Sequence, residues 1–120
     1  MVLFSDLKMR EHDPGPGHPE SPARLSSLHH ALTERPLPSM QWLAPRSASA
    51  QDLMRVHAAS YVEGMLERAG TPTRLDADTR TSEGSVAAAL LAAGAAIDAV
   101  CAAFSGSHRG AMAIVRPPGH

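Results

Sequence analysis

Short apolar runs alternate with amphipathic stretches along this chain, in the order expected of a layered α/β protein. Residues 2–4 form a brief apolar run, residues 40–43 a second, and residues 111–115 a third. The third run is continuous, which is typical of a strand buried on both faces of a parallel sheet. The pattern predicts an α/β fold with a central parallel sheet, and so few short strands cannot complete that sheet.

Helical periodicity fills the intervals between these runs. Residues 12–22 contain four prolines and two glycines, which excludes a helix or a central strand there. Ser21 then provides an N-cap and Pro22 a first helical residue, and leucines at helical spacing extend the predicted helix to about Glu34.

Two capping signals predict the shorter helices. Ser49 with Asp52 three positions later resembles a capping box that opens a helix through residue 56. Ser60 with Glu63 repeats the signal for a helix to about Arg68.

The longest helix is predicted from Gly84 to about Phe104, capped by Thr81 or Ser82. Its bulky residues share one face, and alanines on the other faces allow neighbouring elements to pack closely.

Composition narrows the class of protein. Eleven basic and twelve acidic side chains leave a net charge of -1, so direct binding to nucleic acid or to an anionic membrane is not expected. The single cysteine, Cys101, excludes an internal disulfide and a zinc finger. Gly94 and Asp98 interrupt the longest apolar stretch, which makes it a poor membrane span, and no signal peptide is apparent. We expect a soluble cytoplasmic protein.

The predicted core is small because alanine dominates it and only 3% of residues are aromatic. We therefore expect the 120-residue chain, taken alone, to expose apolar sheet edges and to unfold easily or to form homo-oligomers.

Candidate chemistry follows the third strand, because ligands bind outside the carboxyl ends of parallel strands. The sequence there is Arg116-Pro117-Pro118-Gly119-His120. The prolines stiffen the backbone, so the His120 imidazole is held in place, as suits a group that hydrogen-bonds a reacting water. Alternatively, His120 simply bonds a neighbouring loop.

Four ordered segments resemble the histone deacetylase family, most closely its class II type. Residues 114–120 are similar to a strand followed by the family's Arg-Pro-Pro-Gly-His-His motif, and residues 18–25 to its His-Pro-Glu-x-Pro-x-Arg-Leu motif. Residues 56–61 match a Val-His-x-x-x-Tyr element, and residues 75–79 resemble a loop whose aspartate holds the substrate backbone. The resemblance implies the N-terminal part of an arginase/deacetylase-like three-layer fold, with residues 1–120 as one portion of a single deacetylase domain.

The resemblance also implies roles for three residues. His120 matches the first of two histidines that contact a zinc-bound water, Asp78 matches the pocket rim, and Arg24 matches an arginine that lines the inner cavity. The family's zinc ligands would lie beyond position 120, so the resemblance implies zinc in the full-length protein, no metal ligand in this chain, and an inactive fragment.

Each residue has a simpler alternative. Arg24 on a helix is ordinarily a solvated surface charge, and Asp78 could cap a turn. His57 and Tyr61 suit a packed structural pair. His12, Asp13, His18 and Glu20 have metal-binding chemistry, but a Pro/Gly loop favours solvent-facing or capping roles.

The function implied is zinc-dependent hydrolysis of an acetamide, with acetate and an amine as products. An acetylated protein lysine, an acetylpolyamine and another small acetylated amine stay open as substrates. The alternative is a non-catalytic truncated product, serving as a folding or interaction module of the same fold.

Overall fold

A computed structural model describes residues 1–118 of the chain. The strands are β1 (Val2–Phe4), β2 (Gln41–Leu43) and β3 (Ala111–Ala113), and a short 3₁₀ helix spans Leu7–Glu11. The α-helices are α1 (Pro22–Glu34), α2 (Ala50–Leu53), α3 (Ala59–Leu66) and α4 (Ser85–Phe104). The strands pair in the order β2-β1-β3, and both pairings are parallel, as the pattern predicted.

The central strand β1 carries the core. Its three residues are all buried, and successive side chains of a strand point to opposite faces, so both faces of β1 are covered. The other core residues come from the 3₁₀ helix, α1, α4 and the segment after β3: Met9, Leu25, Ala88, Ala92, Ala95, Ala99 and Ile114.

Strand β3 is less buried than its sequence predicted. Met112 is 51% exposed, because β3 lies at an edge of the described sheet and lacks a neighbour on one side among residues 1–118. The prediction of a strand buried on both faces is therefore wrong for this part of the chain. Self-association through such exposed edges stays a prediction.

Helix α4 packs through its small residues. Alanines at every third or fourth position line its buried face, whereas Phe104 is 89% exposed. Small side chains let the helix axis approach the sheet closely, which confirms the predicted close packing. The helix is also long and apolar enough to cross a membrane by length and composition, but here its alanine face covers β1 and β3.

Two predicted caps are wrong and two are confirmed. At α1 the Ser21 side chain accepts a hydrogen bond from the Ala23 N–H, as predicted. Helix α3 begins at Ala59 without a side-chain cap, since Ser60 already lies within its first turn. Helix α4 also lacks a side-chain cap at Gly84. At α2 the Ser49–Asp52 capping box is present, although the helix ends at Leu53, before residue 56.

Candidate functional site

The carboxyl ends of all three parallel strands meet at one edge of the sheet, where the candidate site was predicted. Beyond β3, the Ile114 N–H bonds the Phe4 carbonyl at 2.9 Å. The chain then continues through Arg116 to Pro118. We call residues 114–118 the exit segment. His120 lies outside the described residues, so its role stays a prediction.

Arg116 anchors the exit segment in the interior. Its side chain is only 2% exposed. Its Nε donates to Glu20 Oε1 at 2.9 Å, and its Nη1 donates to the main-chain carbonyls of Met9, at 3.1 Å, and His12. A buried guanidinium needs a counter-charge, and Glu20 supplies it. Within residues 1–118, Nη2 has no hydrogen-bond partner.

Glu20 joins two arginines at once. Its second carboxylate oxygen, Oε2, accepts a hydrogen bond from Arg24. The Arg24 side chain is 62% exposed, against 12% for Glu20. In the described part of the chain Arg24 therefore lies at the surface, paired to the preceding turn, and a role in an inner cavity stays a prediction.

His18 connects this acidic position to the loop that carries Asp78. The ring Nδ1 accepts from the Glu20 N–H at 3.1 Å. With Nδ1 accepting, the ring donates through Nε2, which lies 3.2 Å from the Asp78 carbonyl oxygen. We call residues 70–80 the rim loop, after the predicted location of Asp78. The structure thus brings together three of the four resembling segments.

Asp76, rather than Asp78, caps the turn of the rim loop. Its Oδ1 accepts from the N–H groups of Asp78, at 3.0 Å, and Thr79, at 2.8 Å. Hydrogen bonds from Thr79 and Asp78 lower the pKa of the Asp76 carboxyl. Asp78 is exposed, so its carboxylate is accessible to a ligand.

His12 is buried, which corrects the expectation of a solvent-facing or capping group. Its Nδ1 lies 2.7 Å from Ser85 Oγ at the start of α4. Burial lowers the pKa of His12, and the nearby Arg116 guanidinium lowers it further. Both effects favour the neutral form of the ring.

Residues 12–22, which we call the Pro/Gly loop, carry acidic and histidine side chains that do not converge on a metal. Among residues 1–118, no group of three or more His, Cys, Asp or Glu side chains is placed to hold an ion. His12 faces Ser85, and Glu20 faces two arginines. The described residues therefore do not supply a zinc site.

His57 and Tyr61 form the side-chain pair that their spacing predicted. Their ring centroids are 5.3 Å apart with an interplanar angle of 45°. Both residues are exposed, and no metal-ligating group of three within the described chain includes His57.

A second polar cluster lies at the same edge of the sheet, and the sequence did not predict it. The His29 ring stacks on Trp42 with centroids 4.4 Å apart, and its Nε2 lies 2.8 Å from Ser5 Oγ. Ser5 in turn donates to the Ile114 carbonyl at 2.6 Å. This cluster links α1, β1 and β2 to the exit segment. The one sequence feature that indicates such a cluster is Ser5, a polar residue directly after β1.

Comparison with known proteins assigns the family. Residues 18–120 match the sequence profile of the histone deacetylase domain. The chain belongs to the histone deacetylase family. The matched stretch includes the His18-Pro19-Glu20 segment, the rim loop and the exit segment, which are the three segments that hydrogen bonds join.

Individual relatives agree with this assignment. The chain is 34% identical to a probable deacetylase of Archaeoglobus fulgidus, over 99% of this chain and 34% of the relative. It is 40% identical to a histone deacetylase-like amidohydrolase of Pseudomonas aeruginosa, over 87% of this chain and 28% of the relative. The chain thus spans about a third of the length of these relatives.

A solved structure extends the likeness to three dimensions. The crystal structure of the HDA15 HD domain superposes with a TM-score of 0.91 at 30% identity, covering 99% of this chain and 35% of that chain. The fold is therefore the α/β fold of that domain, present here in part, and the predicted fold class is confirmed.

Proposed function

We propose that this chain contributes the first strands and two substrate-facing loops of a deacetylase that hydrolyses an acetylated amine to acetate and the free amine. The observation that carries the proposal is the buried Glu20–Arg116 pair. It joins the His-Pro-Glu and Arg-Pro-Pro-Gly-His segments of the family at the carboxyl edge of a parallel sheet. Ligands bind at that edge in open α/β sheets.

Three residues of the chain would act on substrate. His120 would hydrogen-bond the attacking water, as general acid–base chemistry requires of a rigidly presented imidazole. The exposed Asp78 carboxylate would accept hydrogen bonds from the substrate backbone at the pocket rim. Arg24 would support the inner cavity once further residues of the whole protein cover its surface.

Zinc would polarise the acetamide carbonyl when bound. Its ligands would come from residues outside the described part of the chain, where no metal-binding group is assembled. We therefore propose that the 120-residue polypeptide alone is inactive and binds no zinc tightly, and that the whole protein requires the metal. A location in the cytoplasm is part of the same proposal.

The relatives indicate only the chemical class of the substrate. One relative is described as a histone deacetylase-like amidohydrolase and another as a probable deacetylase. Acetyl-lysine on a protein and a small acetylated amine both fit the proposed chemistry.

The test is acetate release by the whole protein that carries this chain. An acetyl-lysine peptide and an acetylated polyamine are supplied in parallel, before and after chelation and again after zinc is restored. We expect release from at least one substrate, loss on chelation and recovery with zinc. No release from either substrate would contradict the proposal and favour a non-catalytic module of the same fold.

A further inference from the structure

The His18-Pro19-Glu20 segment contacts both loops that carry predicted site residues. The Glu20 carboxylate pairs with Arg116, 96 positions away, and the His18 ring bonds the Asp78 carbonyl, 60 positions away. We propose that Glu20 and His18 are positioning residues, Glu20 for the exit segment that leads to His120 and His18 for the rim loop. This inference rests on the proposed deacetylase function.

The Glu20–Arg116 pair holds the exit segment through charge, and the other hydrogen bonds of Arg116 orient its guanidinium. The Arg116 guanidinium is buried, so without the carboxylate its positive charge would be uncompensated. Its remaining contacts are to main-chain carbonyls of Met9 and His12, which hold the guanidinium between the 3₁₀ helix and the Pro/Gly loop. Two prolines follow Arg116 directly, so a displacement of Arg116 is carried along a stiff backbone as far as Pro118, two positions before His120 in the sequence.

The His18 contact fixes the rim loop from outside. Within the described chain, the main-chain groups of residues 71–80 form hydrogen bonds almost entirely with residues 68–81. The exception is the Asp78 carbonyl, which accepts from His18. The turn that Asp76 caps is therefore internally ordered, but His18 is the polar contact that ties it to a distant segment. Because the same ring accepts the Glu20 N–H, both contacts belong to one unit.

A purely structural role and a positioning role predict different kinetics. If the segment only stabilises the fold, substitutions reduce the folded fraction and leave kcat and KM of the folded molecules unchanged. If it positions the loops, Glu20→Gln lowers kcat with KM nearly constant, because His120 acts on the reacting water. His18→Ala instead raises KM with kcat retained, because Asp78 holds substrate.

The experiment measures kcat and KM for acetate release by the whole protein, normalised to the folded fraction. For Glu20→Gln we expect kcat to fall about 10- to 100-fold, the range found when the group orienting a catalytic ligand is lost or displaced. For His18→Ala we expect KM to rise about tenfold, the equivalent of one positioned hydrogen bond. Glu20→Asp keeps the negative charge, and its kcat should lie between those of Glu20→Gln and the wild type. If Glu20→Gln folds poorly, the kcat of Glu20→Asp still tests the proposal.

Matched controls make the same chemical changes at exposed positions. Glu63→Gln in α3 and His30→Ala in α1 should leave both constants at the wild-type values. An active wild type whose Glu20 and His18 variants keep wild-type kcat and KM overturns the inference and leaves the proposed function standing. A wild type that releases no acetate overturns the proposed function, and the inference falls with it.

Discussion

Gly94 in the middle of α4 allows a close approach between this helix and the chain that follows β2. A Cβ atom built at Gly94 would lie 2.9 Å from the carbonyl carbon of Arg46 and 3.0 Å from the Ala48 nitrogen, and nearer still to the Arg46 carbonyl oxygen. Non-bonded carbon atoms prefer about 3.5 Å or more. The contact with the Arg46 carbonyl carbon alone therefore requires a separation of about 0.6 Å, and the shorter contact with the carbonyl oxygen requires more. The neighbouring atoms are backbone and cannot rotate away.

That separation would strain two hydrogen bonds beside the contact. The Ala48 N–H bonds the Leu90 carbonyl at 2.9 Å, and the Arg46 N–H bonds Asp98 Oδ2 at 2.9 Å. Overpacking costs about 1–3 kcal/mol, and two weakened hydrogen bonds add about 1–2 kcal/mol. Alanine returns about 1 kcal/mol through helix propensity, so we expect Gly94→Ala to lower the free energy of unfolding by about 1–4 kcal/mol.

Gly64 in α3 supplies the matched control. A Cβ there would meet only the end of the Arg68 side chain, at 3.4 Å. Gly64→Ala should therefore raise the free energy of unfolding by up to about 1 kcal/mol. Urea unfolding of the whole protein, followed by circular dichroism, measures both. A Gly94→Ala variant as stable as wild type, or more stable, would refute the close-approach argument.

Two further predictions concern pH. Hydrogen bonds from Arg46 and Ser49 hold the pKa of Asp52 well below its ordinary value of 3.8. The ionised carboxylate therefore contributes fully to stability above about pH 4, and this contribution is lost as pH falls. The Asp52→Asn variant should be less stable at pH 7, and its stability should depend less on pH in acid. Burial lowers the pKa of His12 from 6.5, so stability is full above about pH 6.5 and declines below it, and His12→Asn should reduce that slope. His29, whose pKa burial also lowers, preserves part of the slope. Thermal unfolding from pH 7 to 2 checks both, and slopes identical to wild type would contradict them.

The sequence was sufficient for the sheet because its signals are local. Three apolar runs predicted three parallel strands, and Ser21 with Pro22 marked the start of α1 correctly. The same local reasoning was wrong at α3, where Ser60 and Glu63 have the spacing of a capping box but lie inside the helix. Spacing alone does not show which residue has the extended backbone that an N-cap needs.

Helix α4 shows why a hydrophobic pattern can mislead. Its bulky residues share a face, yet the buried face is mostly the one lined by alanines. Phe104, one of the bulky residues, is exposed. When a helix is apolar on every side, its hydrophobic periodicity does not show which face is buried.

The candidate site depended on contacts across long sequence separations. The family resemblance identified the motifs, but no pattern in the chain indicated that Glu20 would pair with Arg116 rather than only with Arg24 four residues later. The burial of His12 was likewise unpredictable, since its partner Ser85 lies 73 positions away. The His12–Ser85 contact lies where the 3₁₀ helix packs against the start of α4. The Glu20–Arg116 pair joins the segment before α1 to the exit segment after β3.

The most direct test of the account compares wild type with His120→Ala in the whole protein, measuring bound zinc and acetate release on the same preparation. His108→Ala, in the turn before β3, serves as the control. We predict that all three proteins bind zinc stoichiometrically, because the metal ligands lie elsewhere, and that His120→Ala alone loses acetate release. Undiminished acetate release by His120→Ala would contradict the account.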